Sequence, residues 1–334
     1  MAELPGQVKA FYIRGGKGEA YQSGIEQLAL ADLGDGELLV KVAYSSVNYK
    51  DALAGTGKGK ILRRFPLVGG IDLAGEVVES SHSDYQPGQA VLMTGCDLSE
   101  TRDGGYALYQ RIPAEWAIPL PNGLTAREAM ILGTAGFTAA LSLWRMEAAG
   151  QTPDMGPIVV TGATGGVGML AINMLSKAGY EVHAISGKTD RFDFLQEIGA
   201  SSCVSRHDLY LGGRPLEKGI WAGAIDNVGG SMLDGLTRCI SPWGNIASCG
   251  LAGGHELHTT VMPFIIRGIS LIGINSSGCH RSIREQLWSR LASDWKPPKL
   301  DKIATREITL EQLPEVFDTM LAGDSFGRTV VRVE

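Results

Sequence analysis

A short group of glycines between an apolar run and a helix-compatible segment constrains this chain most. The apolar run covers 158–161, and Gly162, Gly165 and Gly168 follow it before a stretch of helix formers begins. Glycines at these places allow a sharp turn and a close backbone approach to a pyrophosphate, which the N–H groups of a helix N-terminus then bind. A second apolar run follows at 181–186, so the segment predicts a strand–helix–strand unit with a phosphate-binding loop. A tight strand–helix turn without a ligand is the alternative.

The residues that end the second run predict which dinucleotide binds. NAD-binding enzymes usually carry Asp or Glu at this place, where the carboxylate accepts hydrogen bonds from the ribose hydroxyls. This chain has Ser186, Gly187 and Lys188 instead. A hydroxyl and an ammonium can bind a 2′-phosphate that a carboxylate would repel, and Arg191 and Arg206 are further candidates. We therefore expect NADPH rather than NADH, with a solvated loop lysine as the alternative for Lys188.

The length of 334 residues exceeds what one hydrophobic core usually supports, so two domains are expected. Short strands separated by turns fill the first third and predict a small β-barrel, with runs at 8–13, 37–44, 75–79 and 89–93. Thr125 and Glu128 have the spacing of a capping box that starts a helix. Apolar runs then alternate with helical segments, which predicts a parallel sheet with helices on both faces; the runs are 158–161, 181–186, 222–226, 245–248 and 271–274.

These patterns predict an α/β protein with a β-barrel substrate domain and a doubly wound parallel sheet of the Rossmann type. The barrel domain is expected to cover 1–125 and 300–334, because the strand-like tail 327–333 returns to it. The dinucleotide-binding domain is expected to cover 126–299.

Charge, hydropathy and cysteine usage exclude several classes of protein. The net charge is −6, and no stretch of helix length is dominated by Lys and Arg, so a nucleic-acid partner is not expected. The chain has no apolar window long enough for a membrane helix, and its first residues lack the basic start and apolar run of a secretory signal. We therefore expect a cytoplasmic protein without membrane contact. Five scattered cysteines favour free thiols. No metal site is expected, since His255 and His258 are more simply a chance pair in a loop.

Several strings together resemble the medium-chain dehydrogenase/reductase superfamily over essentially the whole length. They include the segments 46–51, 68–75, 133–139 and 224–229. Zinc alcohol dehydrogenases of this superfamily have Gly-His-Glu where this chain has Gly70-Ile71-Asp72. They also have a cysteine near Asn48–Asp51 and often a four-cysteine lobe, and this chain has neither. The resemblance therefore implies the zinc-free quinone and enoyl reductases, with a GroES-like barrel beside the Rossmann domain.

Within that group the chain is similar to the acryloyl-CoA reductase branch, and it shares several long strings with it: 48–53, 56–60, 215–218, 221–226, 249–254 and 259–265. The resemblance implies transfer of a nicotinamide hydride to the β-carbon of acryloyl-CoA and protonation of the α-carbon. It assigns the pyrophosphate to the loop containing Thr164, Gly165, Gly166 and Val167. It also assigns further cofactor contacts, at Thr138, Asn227, Leu251, Ile265, Asn275 and Arg328.

The proton donor is open. Some related enoyl reductases use a tyrosine in a Gly-x-Tyr element, where this chain has Gly57-Lys58-Gly59. Tyr49 is the nearest phenol and Asn48 the nearest amide, so these two are the candidate catalytic residues. A buried barrel tyrosine with a satisfied hydroxyl is an equal alternative for Tyr49, and solvent is a further proton source. The basic segment 58–64 can either contact CoA phosphates or form a solvated loop face.

Three other functions stay open. The first is an NADPH:quinone reductase on the same scaffold, and the second is a zinc alcohol dehydrogenase. The third is a non-catalytic NADPH-binding protein, which the missing Gly-x-Tyr tyrosine favours. The substrate is therefore expected to be a small molecule, either a short enoyl-CoA or a quinone. A homodimer is also expected, because the apolar strand at 271–274 can extend a sheet across a two-fold axis.

Overall fold

The computed structural model describes residues 4–16 and 19–333. The strands are β1 Gln7–Gly16, β2 Glu19–Ala29, β3 Leu38–Val47, β4 Leu67–Val68, β5 Asp72–Ser80, β6 Ala90–Thr94, β7 Tyr109–Ile112, β8 Ile118–Pro119, β9 Ile158–Thr161, β10 Val182–Ser186, β11 Ser202–Ser205, β12 Trp221–Asp226, β13 Ile240–Ser248, β14 Ser270–Gly273, β15 Arg306–Ile308 and β16 Thr329–Arg332. The α-helices are α1 Tyr49–Thr56, α2 Ala126–Ala148, α3 Gly166–Lys177, α4 Phe192–Glu197, α5 Gly230–Cys239, α6 Met262–Arg267, α7 Arg281–Leu291, α8 Leu300–Ile303 and α9 Leu313–Leu321.

The chain divides into two compact units. The first, the barrel unit, consists of residues up to 134 together with 277–292 and 304 onward. The second, the nucleotide-fold unit, consists of 135–276 and 293–303. These compact units do not coincide with the expected domains, whose boundaries are 125/126 and 299/300. The expected domain boundaries stay predictions. Two local features accompany the difference: α2 has a non-helical residue at Gly133, and Arg284 of α7 donates hydrogen bonds to Thr94 of the barrel.

The barrel unit contains two sheets. One has the order β2-β1-β4, and the other has the order β15-β16-β3-β5-β6-β8, with β7 paired to β3. Alternate residues of β1, β3 and β5 point into a common apolar core, which α9 also contacts through Phe317. This packing follows from the period-2 alternation of side chains along a strand. The strands expected at 8–13, 37–44, 75–79 and 89–93 are all present, although β1 and β3 end three residues later and β5 begins three residues earlier than expected.

The nucleotide-fold unit contains one sheet in the order β11-β10-β9-β12-β13-β14, and every neighbouring pair in it is parallel. The central strand β9 is fully buried, as its uninterrupted apolar sequence predicts. The expected parallel sheet is therefore confirmed. The capping box of α2 is also confirmed, since the Glu128 N–H donates to Thr125 Oγ1 over 3.1 Å and the Thr125 N–H donates to Glu128 Oε2 over 2.9 Å.

One long strand was not foreseen. β2 pairs with β1 along most of its length, yet nearly all of its residues are exposed or half-buried and mainly polar. A strand without a buried face has no alternation of apolar and polar residues, so its sequence pattern does not distinguish it from a loop. Within residues 4–16 and 19–333, no helix is long and apolar enough to cross a membrane.

Candidate functional site

The candidate cofactor site lies at the carboxyl edge of the parallel sheet. The strand order runs outward in opposite directions from β9 and β12, so the crevice between the loops that follow these two strands is a topological switch point. Ligands of open α/β sheets bind at such a crevice. The loops after β9, β10, β12, β13 and β14 all begin at this edge, because parallel strands end on the same side.

The loop after β9 has the geometry that a diphosphate requires. Gly162 has φ +58°, a left-handed conformation that a side chain would strain. Gly168 packs against this turn, and a Cβ on it would lie 2.5 Å from the Gly162 carbonyl oxygen. Gly165 is the N-cap residue of α3 and makes no side-chain cap hydrogen bond. A Cβ on Gly165 would meet only that same carbonyl, at 3.3 Å, so the loop leaves room on this side.

A buried carboxylate braces the neighbouring loop. Asp226, at the end of β12, accepts hydrogen bonds from Thr161 Oγ1 at 2.6 Å and from the Gly229 N–H at 2.9 Å. Burial raises the pKa of Asp226, and these hydrogen bonds oppose the rise. Asn227 donates from Nδ2 to the Thr161 carbonyl over 2.8 Å, so the predicted cofactor residue Asn227 is fixed beside the glycine loop. Asp226 thus holds the two loops together.

The end of β10 forms a polar corner. Ser186 is buried, its Oγ lies 3.2 Å from Thr164 Oγ1, and it accepts the Lys188 N–H over 3.0 Å. The guanidinium of Arg206 lies against Gly187, where a Cβ would come within 2.6 Å of Nε. The backbone N–H of Arg206 also donates to the backbone carbonyl of Ser186. A hydroxyl and a guanidinium, two groups of the kind that bind a phosphate, therefore lie at the end of this strand, and the backbone of Lys188 is held beside them.

The other predicted cofactor residues of this unit lie at different places. Thr138 is buried and donates to Ser276 Oγ over 2.8 Å, which ties α2 to the segment after β14 that contains Asn275. Leu251 is 65% exposed in the loop after β13. Ile265 is 76% exposed on α6. Thr138, Leu251 and Asn275 adjoin the carboxyl edge, whereas nothing in the contacts of Ile265 connects it with the glycine loop.

The candidate catalytic residues belong to the barrel unit. Asn48 is the N-cap residue of α1, and Tyr49 is the first residue of that helix. The Tyr49 side chain is 48% exposed, so the alternative of a buried tyrosine with a satisfied hydroxyl is wrong. Asn48 is buried, and its Nδ2 donates to Asp72 over 2.8 Å and to Asp51 over 3.2 Å. Its amide is thus committed to neighbouring carboxylates.

Arg328, another predicted cofactor residue, lies inside the barrel unit. The side chain is buried, and its guanidinium donates to the carbonyls of Ile131 and Val47 and to Asn48 Oδ1, over 2.8–3.1 Å. Burial lowers the pKa of Arg328, while Asp72 and Asp51 raise it. The recorded hydrogen bonds commit the guanidinium to the inside of the barrel unit. The guanidinium therefore links β3 and α2 within this unit. Its expected cofactor contact stays a prediction.

Sequence reasoning did not identify two buried carboxylates beside Asn48. Asp51 and Asp72 both lie in strings that carry the family resemblance, yet no role was inferred for either carboxylate. Burial, and then the nearby Asp72, raise the pKa of Asp51 to about 7. The available signal was the presence of two acids in otherwise apolar or small-residue strings, since charged residues are rarely buried without partners.

The basic segment 58–64 is divided by its contacts. Arg64 pairs with the buried Asp103 at 3.1 Å, and Arg63 lies 3.8 Å from the buried Glu100. Lys58 and Lys60 are exposed. The ion pair with Asp103 therefore fixes Arg64 to the barrel unit. Contact of Lys58, Lys60 and Arg63 with CoA phosphates stays a prediction.

The donor groups of the nucleotide-fold unit fit a nicotinamide dinucleotide: glycines that permit close approach, an N-terminal helix turn, and a basic, hydroxyl-lined corner. In the described part of the chain, no group of three or more His, Cys, Asp or Glu side chains is arranged to hold a metal ion. The expectation that no metal is needed stays a prediction.

The similarity to known proteins is extensive. The alcohol dehydrogenase GroES-like domain family matches residues 34–122, and the zinc-binding dehydrogenase family matches residues 166–293. The quinone oxidoreductase homologue YhfP of Bacillus subtilis is 45% identical over 92% of this chain and 94% of its own length. The acrylyl-CoA reductase AcuI of Ruegeria pomeroyi is 44% identical over 93% of this chain and 94% of its own length.

This chain belongs to the medium-chain dehydrogenase/reductase superfamily, in the branch that contains AcuI and YhfP. It is therefore an oxidoreductase, and the predicted family is confirmed. The crystal structure of the YhdH oxidoreductase of Salmonella enterica with NADP has a TM-score of 0.94 and 43% identity, covering 98% of this chain and all of that one. Bacillus subtilis YhfP with bound NAD has a TM-score of 0.93 and 42% identity, covering 98% of this chain and 99% of that one.

Proposed function

We propose that this reductase uses NADPH to reduce the activated C=C bond of acryloyl-CoA to propanoyl-CoA, without zinc. The observation that carries the cofactor assignment is the corner where Ser186, Lys188 and Arg206 surround the end of β10 beside the glycine loop. The substrate assignment is supported by relatives of about 45% identity that are named acrylyl-CoA reductases.

The cofactor supplies a hydride from its nicotinamide when bound. The N–H groups of the first turn of α3 bind the diphosphate, and the corner residues neutralise the 2′-phosphate. Asp226 keeps Asn227 beside the glycine loop. These groups bind and orient, which converts a bimolecular reaction into one between held reactants.

Reduction adds a hydride to the β-carbon and a proton to the α-carbon, so a proton source is required. We assign this role to Tyr49, because its phenol is half exposed at the start of α1. Asn48 then holds the helix start, since both of its amide N–H donors are directed to carboxylates. Water is the competing proton source.

The test compares acceptors side by side. NADPH oxidation is followed with acryloyl-CoA, crotonyl-CoA and a benzoquinone under saturating cofactor. The proposal expects kcat/KM for acryloyl-CoA to exceed that for the quinone by at least about a hundredfold, a difference of roughly 3 kcal/mol in transition-state stabilisation. Equal or greater efficiency with the quinone contradicts the substrate assignment. NADPH binding without turnover of any acceptor contradicts the enzyme assignment, and one zinc per chain in metal analysis contradicts the zinc-free assignment.

A homodimer is part of this proposal. β14 is the last strand of its sheet, and an edge strand offers unpaired backbone groups to a second copy. The neighbouring α6 exposes apolar side chains, with Ile265 and Ile266 both more than half exposed. Sedimentation of the wild type and of Ile266→Lys tests this assembly, because a monomeric wild type contradicts it.

A further inference from the structure

A buried polar cluster lies beneath the start of α1. It consists of the carboxylate of Asp72 and the three residues that donate to it, which are Ser46, Asn48 and Thr134; we refer to it as the Asp72 cluster. Asp72 is fully buried at the first position of β5. A buried carboxylate costs stability unless its lone pairs are occupied, so the arrangement of the donors around it is constrained.

Each carboxylate oxygen of Asp72 has defined donors. Oδ2 accepts from Ser46 Oγ at 2.6 Å and from Asn48 Nδ2 at 2.8 Å. Oδ1 accepts from Thr134 Oγ1 at 2.5 Å, and the Thr134 N–H lies within 3.0–3.1 Å of both oxygens. One side chain therefore joins β3, the start of α1 and the middle of α2.

The backbone at Gly133 is shaped to reach this carboxylate. Gly133 has φ +50° inside an otherwise helical stretch, and a Cβ on it would lie 2.6 Å from Asp72 Oδ2. Only a glycine at this position brings the following N–H of Thr134 onto the carboxylate. The break in α2 thus lies at the point where the helix backbone meets Asp72.

The amide of Asn48 is fixed in one orientation. Its Nδ2 faces Asp72 and Asp51, and its Oδ1 accepts from Arg328 Nη1 over 3.1 Å. Rotating the amide by half a turn would place Oδ1 against two carboxylates and Nδ2 against a guanidinium. Asp72, Asp51 and Arg328 together fix the Asn48 amide, and the bond to Asp72 is the shortest of the three. Asn48 is the residue that precedes Tyr49.

We propose that Asp72 is a positioning residue for proton delivery by Tyr49, acting through the Asn48 N-cap and the first turn of α1. This inference rests on the proposed function, because it takes Tyr49 as the proton donor. Asp72 itself is buried and does not need to touch substrate or cofactor in this role.

Two adjacent serines provide a matched test. Ser45 and Ser46 are both fully buried on β3, and each donates one 2.6 Å bond to Asp72. Ser45 bonds the backbone carbonyl, whereas Ser46 bonds the carboxylate. We expect Ser46→Ala to lower kcat by about tenfold with little change in the KM for NADPH, and Ser45→Ala to stay within about twofold of wild type. Equal effects of the two variants would overturn the proposal.

A double-mutant cycle separates positioning from mere stability. Asp72→Asn replaces one acceptor oxygen with a donor facing Ser46 and Asn48, so it should lower kcat in the wild type by about tenfold or more. In a Tyr49→Phe background the same change should have little further effect, because the group that it positions is gone. Asp72→Glu should recover part of the activity. An equal loss in both backgrounds overturns the proposal, and the serine pair decides the question if Asp72→Asn does not fold.

The assay uses whichever acceptor the wild type reduces fastest among acryloyl-CoA, crotonyl-CoA and a benzoquinone. Failure of acryloyl-CoA as a substrate is then visible in the wild type alone. Failure of the positioning role is visible only in the ratios between variants. NADPH titration of each variant confirms that the nucleotide-fold unit still binds its cofactor.

Discussion

The guanidinium of Arg206 lies against the backbone of Gly187, close enough that a Cβ there would come within 2.6 Å of Nε. This contact places a permanent positive charge at the end of β10, where NAD-specific enzymes carry a carboxylate. The two residues together define the corner that we assign to the 2′-phosphate of NADPH.

Removing that charge should change the cofactor preference. Arg206→Ala is expected to raise the Kd for NADPH by about 10–100-fold, since a hydrogen bond to a charged group contributes roughly 1.5–3 kcal/mol. The Kd for NADH should change by less than about twofold. Fluorescence titration with both nucleotides measures this. The control is Arg214→Ala, because Arg214 is an exposed arginine that pairs with Glu217 at 2.7 Å and has no assigned role in the corner. Equal losses for NADPH and NADH would contradict the assignment of the corner.

Two glycines of the phosphate loop should respond differently to the same substitution. Gly165→Ala is expected to leave folding intact, because its Cβ meets only one atom, at 3.3 Å, but to weaken NADPH binding by about tenfold or more by crowding the diphosphate. Gly168→Ala places a Cβ 2.5 Å from a backbone oxygen, so it should lower stability by about 1–3 kcal/mol. Urea unfolding and NADPH titration separate the two effects. Unchanged NADPH affinity in Gly165→Ala would contradict the position of the diphosphate.

Tyr49→Phe tests the proton donor. General acid catalysis typically contributes about 10²–10⁴-fold, so kcat should fall by about a hundredfold while the Kd for NADPH stays unchanged. Tyr210→Phe is the control, because Tyr210 is 85% exposed outside the proposed site. A Tyr49→Phe enzyme with full activity would assign the proton to water.

Asp51 should make folding stability depend on pH. Its pKa is raised to about 7 in the folded protein, from an ordinary value of 3.8, chiefly by burial. Between these two pH values the unfolded chain ionises Asp51 and the folded chain does not, so the stability due to this group falls as the pH rises. Relative to Asp51→Asn, wild type should lose on the order of a few kcal/mol between about pH 4 and pH 7, then stay level. Urea unfolding at several pH values measures the difference, and a pH-independent difference would contradict the raised pKa.

The phosphate loop and the parallel sheet were predictable because their signals are local. The run 158–161 is buried on both sides and reads as an apolar strand, and the glycines that follow it meet steric requirements within a few residues. Thr125 and Glu128 are likewise three residues apart. Each pattern reports a contact that lies close in sequence.

The Asp72 cluster was not predictable because its contacts are long-range. Asn48 and Thr134 are 24 and 62 residues away from Asp72 in the sequence, and no periodicity links them. The contacts of Arg328 were not predictable for the same reason, because its partners lie far away in the sequence, near residues 48 and 131. Cys96, Asp97 and Ser99 also adopt left-handed conformations although none of them is a glycine, so their residue types do not predict these conformations.

Deuterium labelling of the transferred hydride tests the proposed reduction of acryloyl-CoA by NADPH most directly. NADPH carrying deuterium at nicotinamide C4, prepared separately with each of the two stereochemistries, is oxidised in the presence of acryloyl-CoA. With one of the two labelled forms, the account predicts propanoyl-CoA with a single deuterium at C3; with unlabelled NADPH in D₂O, it predicts a single deuterium at C2. Product without deuterium at C3 from either labelled cofactor, or no propanoyl-CoA at all, would contradict it.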